Sequence, residues 1–304
     1  MPVEQLSGIV ITVADLAKSA AFYRDALGLE VETETPADPI WIRLLGLQPG
    51  TTARIVNVTV GQQTLRLVAF DPPGLPYPAE RASNDQCFQH VALVCGEIEK
   101  VWERLQDGAP GAITEGGPVL LPANTGGVTA FKFRDPEGHP LELISFPPGV
   151  GNPVWQRSGK GIAGYDHTAV SVMDVDRSIA FYTRLLGFRI GGRSLNRGLE
   201  QDRLDGLVGC EVDVVALEPA LVATPHVELL HYRSPPSRTL ASQIRANDVA
   251  AVCQIHQVDD LNALAGQLEA EGVTFVSPGV VTLRDDRKAA AIRDPDGHMI
   301  VLMG

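Results

Sequence analysis

The sequence predicts an α+β chain built from four strand–helix–strand–strand–strand units in two tandem halves. Three observations predict it. Motifs recur at a fixed spacing: Asp15 and Asp174, Phe22-Tyr23 and Phe181-Tyr182, Leu27-Gly28 and Leu186-Gly187, and Arg134-Asp135-Pro136-Glu137-Gly138-His139 and Arg293-Asp294-Pro295-Asp296-Gly297-His298 are each separated by 159 residues. A period shared by several motifs marks a tandem duplication. Each half also repeats internally, with an alternating apolar run leading into a capped amphipathic helix and then further extended runs. Finally, 304 residues with 44% hydrophobic and 20% charged content suit about two globular domains.

The first unit covers residues 1–75. Its leading strand ends before Asp15, which stands where a helix N-cap belongs, and the helix stops near Gly28. Extended runs are expected at Ile40–Leu45, Ala53–Val60 and Thr64–Phe70, with Pro72-Pro73-Gly74 closing the unit. Pro72–Glu80 reads as a surface loop.

The second unit covers residues 87–147. Strand His90–Cys95 precedes helix Ile98–Gln106, and strands Thr129–Phe133 and Pro140–Phe146 flank the Asp135-Pro136-Glu137-Gly138 turn. In that turn Pro136 presets φ and Gly138 tolerates a positive one. The Pro/Gly-rich stretch that follows makes residues 148–163 a linker between domains 1–147 and 164–304.

The third unit covers residues 164–236. His167 opens an alternating apolar strand, Asp174 caps a helix bearing Ile179, Phe181 and Tyr182, and the Gly191–Gly198 stretch reads as a loop. The fourth covers residues 250–304, with strand Val252–Val258, helix Leu261–Glu271, Gly272 as its stop and a last strand His298–Met303.

Composition narrows function. The net charge of −12 and pI of about 5.0 leave no basic run for a nucleic-acid backbone. No signal-like leader and no long apolar span are present, so a cytoplasmic protein is expected. Cys87, Cys95, Cys210 and Cys253 form no CxxC pair and read as free thiols.

The Asp-Leu-x-x-Ser-x-x-Phe-Tyr helix, the Arg-Asp-Pro-x-Gly-His turn before a final strand, and the four units resemble the vicinal oxygen chelate superfamily. It includes glyoxalase I, extradiol dioxygenases and the bleomycin and fosfomycin resistance proteins. The resemblance implies cupped mixed sheets, each made by two units, with metal ligands at the start of the first strand and in the last strand of a unit. Those positions hold Gly8 and Leu65 or Arg66 in the first unit, His90 and Glu142 in the second, His167 and Glu228 in the third, and Cys253 and Val301 in the fourth. Only a pairing of unit two with three, and of one with four, gathers His90, Glu142, His167 and Glu228 in one cup. The other cup then holds no recognisable site.

Two imidazoles and two carboxylates suit a divalent ion such as Ni, Zn, Mn or Fe with positions left open for substrate. The resemblance implies a lyase or isomerase of the glyoxalase I type. It would act on a small molecule with vicinal oxygens through an enediolate; by unit order Glu142 corresponds to the family's base-forming glutamate, with Glu228 as the other candidate base. An Fe(II) ring-cleaving dioxygenase and a non-catalytic small-molecule binder are the alternatives. Taken singly, each ligand also has a structural reading, since strand carboxylates often face solvent and histidines often serve only as hydrogen-bonded core residues. His139 and His298 read as turn residues, His226, His231 and His256 as ordinary strand or loop residues, and Lys132 and Arg134 as solvated. No macromolecular partner is expected beyond a monomer or homodimer.

Overall fold

The computed structural model describes residues 2–157, 159, 161–239 and 243–304. Positions 158 and 160 of the expected linker lie outside them. Among the described residues, two mixed sheets of nine strands each carry a small number of short helices.

Neither sheet is made by one half of the sequence. In the first, Val3–Thr12 pairs antiparallel with Val252–Val258, joining the first unit to the fourth. In the second, Gln89–Cys95 pairs antiparallel with Ile162–Ser171, joining the second to the third. Gln89–Cys95 is buried at every position, so it is covered on both faces. In Gln89–Cys95, Val91, Leu93 and Cys95 pack on the helix Ile98–Gln106. Ala92 and Val94, of the same parity as His90, face the opposite way with Ile144, Leu121 and Leu204.

The helix starts follow the sequence. Asp15, Asp174 and Asp260 accept from the backbone N–H groups of Lys18, Arg177 and Ala263 at 2.9, 3.0 and 3.0 Å. Each satisfies a donor that the first helical turn leaves without a partner.

Two expectations fail. The run Ile40–Leu45 is not extended: Pro39–Leu44 is a helix, capped by the Asp38 carboxylate at 3.0 Å from the Ile40 N–H. Asp38-Pro39 is a helix-start signal that outweighs the β-branched residues after it. The stretch Gly191–Gly198 is not a loop either. Arg189–Arg197 forms an edge strand against Glu211–Glu218. It is held by backbone pairing and is largely exposed at its N-terminal end, so it carries no apolar alternation.

The turn histidines do more than close turns. Nε2 of His139 donates to the Thr12 carbonyl at 2.7 Å, and Nε2 of His298 donates to the Ser171 carbonyl at 2.9 Å. Each links one sheet to the other, because its acceptor lies in the joining strand of the opposite sheet. Tyr23 and Tyr182 repeat the symmetry by donating to Asp135 and Asp294.

Candidate metal centre

Strand register brings the four expected ligands together. Glu142 lies opposite Ala92, and Glu228 opposite Ala169, so each glutamate is two positions along from the histidine of its own unit and shares its face. Across the antiparallel joint Ala92 faces His167 and Ala169 faces His90. All four side chains therefore surround the joint. His90 Nε2 lies 3.2 Å from Glu142 Oε2, the same oxygen lies 3.5 Å from His167 Nε2, and His167 Nε2 lies 3.5 Å from Glu228 Oε2.

These spacings fit donors around a common ion. Atoms about 2.1 Å from one centre are roughly 3.0–3.4 Å apart at right-angled to tetrahedral angles. The buried Nε2 of His90 also makes no hydrogen bond, although a carboxylate oxygen stands beside it. A buried imidazole nitrogen left this way fits a metal donor.

Burial sets the electrostatics. It lowers the His90 pKa against the pull of Glu142, which favours the neutral ring that a metal donor needs. Burial alone would raise the Glu142 carboxyl, but His90, His167 and Lys132 outweigh it and hold that carboxyl well below the usual range. The same contest at Glu228, against His167 and His226, brings it down to about 2. At His167 burial disfavours the proton, yet Glu228, Asp166 and Glu142 retain it to well above the ordinary imidazole value.

The ligands open onto a cavity of about 150 Å³ that Leu121, Ile144, Leu204 and Tyr232 help to line. A larger cavity of about 340 Å³ opens beside Cys87 and Arg293 and holds none of the four. The smaller one has the chemistry.

Three sequence expectations need correction here. Lys132 is not solvated: it lies opposite Glu142 on the neighbouring strand, is 4% exposed, and pairs with Asp205 at 2.6 Å. Arg134 is half-buried, with a guanidinium N–H directed at the Gly138 carbonyl at 3.4 Å. His226 is not an ordinary strand residue, since its Nε2 lies 3.5 Å from Glu228 Oε1 and its Nδ1 3.7 Å from Asp166 Oδ2. Its spacing was the available signal, because two residues before Glu228 in one strand is the same face. Asp166, unassigned from sequence, lies 3.1 Å from His167 Nδ1. Adjacent strand residues normally face opposite ways, but the register shifts between Tyr165 and His167, and such a bulge re-aims a side chain. His256 stays apart from the site: it is buried, donates to Gln254 Oε1 at 2.9 Å, and burial lowers its pKa to about 3.

The second cup is closed. Cys253 and Val301 are buried in an apolar cluster with Val10, Ile42, Leu45 and Met299. The helix Pro39–Leu44 supplies part of that filling. Arg66, at the remaining ligand position, donates to Asn57 at 3.1 Å. Burial pushes the Cys253 thiol up to about 12.

Comparison with known proteins agrees with this architecture. The family model described as "Glyoxalase/Bleomycin resistance protein/Dioxygenase superfamily" matches residues 5–143 and 164–302. A lactoylglutathione lyase of Arabidopsis thaliana is 26% identical over 184 residues, 60% of this chain and 54% of that protein. The chain thus spans about half the length of that relative. A lactoylglutathione lyase of Salmonella typhimurium is 26% identical over 138 residues, 44% of this chain and 87% of its own. Glyoxalase I from Zea mays superposes with a TM-score of 0.60 at 17% identity, covering 98% of this chain and 92% of that one, a likeness of fold.

Proposed function

The chain belongs to the Glyoxalase/Bleomycin resistance protein/Dioxygenase superfamily, and we propose that within it this protein is a metal-dependent lyase or isomerase of the glyoxalase I type. Its substrate is a small molecule with neighbouring oxygens. Domains 1–147 and 164–304, joined by 148–163, act as a tandem pair with a single working centre between their inner units. One observation carries this reading: two imidazoles and two carboxylates converge where the second unit meets the third.

His90, Glu142, His167 and Glu228 would hold the ion. A bound divalent cation supplies Lewis-acid stabilisation of negative charge developing on paired substrate oxygens. The chain's own residues do the rest. Glu142 Oε2 touches both donor imidazoles and its side chain is 6% exposed, so it is the fixed carboxylate. Glu228 touches one donor imidazole, is 19% exposed and faces the cavity. It is the freer group, and we assign it the proton transfer between adjacent substrate carbons. The apolar wall of Leu121, Ile144 and Leu204 limits water around that proton.

The test is anaerobic turnover of a hemithioacetal by protein stripped of metal and reloaded in turn with Ni²⁺, Zn²⁺, Mn²⁺ and Fe²⁺. Metal-dependent conversion without oxygen is expected. Oxygen uptake with catechols by the Fe²⁺ form alone would favour the dioxygenase. Protein that binds no divalent ion would sink both.

A further inference from the structure

We propose that Asp166 is a positioning residue that fixes the His167 ring as a metal donor, and that Trp155 couples it to the segment between the two halves. The inference rests on the metal-site reading above. Asp166 is a carboxylate only 5% exposed, which is unfavourable unless its oxygens are satisfied. They are divided between two tasks. Oδ1 accepts from the indole N–H of Trp155 at 2.5 Å, and Oδ2 lies 3.1 Å from His167 Nδ1. An ionised carboxylate only accepts, so Nδ1 carries the hydrogen. In the neutral ring that a metal requires, the Nε2 lone pair of His167 would thereby be directed at the point between Glu142 and Glu228.

The backbone is shaped to allow this. The bulge between Tyr165 and His167 brings Asp166 round to the metal side. Gln63, from the other sheet, brackets the bulge by accepting from the Tyr165 N–H at 2.6 Å and donating to its carbonyl at 2.8 Å. Gly164 leaves room for the indole: a Cβ there would lie 2.8 Å from Trp155 Cη2. Trp155 stands in the short helical turn Pro153–Arg157, so the connecting segment takes part in building the centre.

The two imidazole donors are therefore not equivalent. Among the described residues Nδ1 of His90 has no hydrogen-bond partner, whereas Nδ1 of His167 has a carboxylate. A carboxylate behind a ligating imidazole raises its basicity and fixes its tautomer, and losing it costs about 10–100-fold in metal affinity.

The experiment is calorimetric titration of Zn²⁺ into metal-stripped wild-type, Asp166→Asn and Trp155→Phe proteins. It is accompanied by proton NMR of the zinc-loaded forms and thermal melts of the metal-free forms. Asp166→Asn is expected to weaken zinc binding about 10–100-fold and to move the downfield His167 Nδ1–H resonance upfield. Trp155→Phe keeps the carboxylate and is expected to show a smaller loss in the same direction, and it decides the matter if Asp166→Asn does not fold. Asp166→Asn protein with wild-type affinity and an unmoved resonance overturns the inference, even if its metal-free melting point drops, because Asp166 would then be merely structural. Wild-type protein that binds no zinc overturns the metal site itself. Zinc binding by the wild type with no change in either variant overturns only the role of Asp166.

Discussion

The ammonium of Lys132 and the carboxylate of Asp205 meet at 2.6 Å beside the proposed metal donors, both all but fully buried. Asp205 also accepts from Tyr232 at 3.0 Å and from Gln201 at 2.7 Å. It is the last residue of the helix Leu199–Asp205, so the pair ties that helix to the sheet carrying Glu142. Removing one partner of such a pair leaves a buried charge uncompensated. Lys132→Met is expected to lower the unfolding free energy by about 3–5 kcal/mol in urea denaturation. Lys132→Met combined with Asp205→Leu is expected to recover only part of that loss, because Tyr232 and Gln201 then lose their acceptor. A single variant as stable as wild type would mean that water reaches the pair.

The two glutamates are expected to separate by substitution. Glu142→Gln removes the oxygen shared by both imidazole donors, so the loss should show first in zinc affinity, read by calorimetry. Glu228→Gln is expected to retain the ion and to lose turnover by about 10²–10⁴-fold, the usual contribution of a positioned general base. The opposite pattern would exchange the roles assigned to them.

Much of this candidate centre is legible in the sequence, and the rest is hidden for definite reasons. His90, Glu142, His167 and Glu228 were readable because ligand-type residues occupied matching places in two units, and only one pairing of units gathered them. Asp166 was hidden because strand alternation turns it away, and only the bulge at Tyr165–His167 turns it back. Lys132 shares a face with Glu142, which the strand register shows, but its partner Asp205 is 73 residues away on a helix of another unit. The Arg189–Arg197 strand leaves no apolar alternation to read, because an exposed edge is held by backbone pairing rather than by side chains. The helix Pro39–Leu44 is masked in the sequence because Ile40 and Ile42 suit a strand equally well, and only Asp38-Pro39 marks a helix start.

Metal binding is expected to release a proton. In the ion-free protein burial works against the protonated His167 ring, but Glu228, Asp166 and Glu142 outweigh it and hold the proton well above the ordinary imidazole value. The ion requires the neutral ring, so the ion-free form binds more protons than the loaded form, and affinity must fall as pH falls. About one proton per ion is expected at pH 7, with affinity dropping up to about tenfold per pH unit. Zinc calorimetry in two buffers of different ionisation enthalpy measures the count. An excess of ion at 100 times its dissociation constant should also stabilise the fold by about 2.7 kcal/mol, reversed by chelator. Affinity that does not depend on pH would argue that His167 is not a donor.

The closed cup offers the converse test. Val301 is the fourth unit's counterpart of Glu142, fully buried among Cys253, Ala291, Met299 and other apolar side chains. Restoring a carboxylate there supplies one ligand of the missing set, but no imidazole stands opposite, since Gly8 and Cys253 occupy those places. The helix Pro39–Leu44 also fills the room an ion and substrate would need. Val301→Glu therefore buries a carboxylate in an apolar cluster with no metal to balance it, while Arg66, the cation at the first unit's ligand position, is engaged by Asn57. The expected result is a loss of about 3 kcal/mol or more in unfolding free energy, with zinc stoichiometry still at one per chain. The proposed centre lies in the other sheet, so its zinc affinity should change little while the variant stays folded. A second zinc equivalent bound by Val301→Glu would show that the apolar filling is easily displaced and that the two cups differ by less than their packing implies.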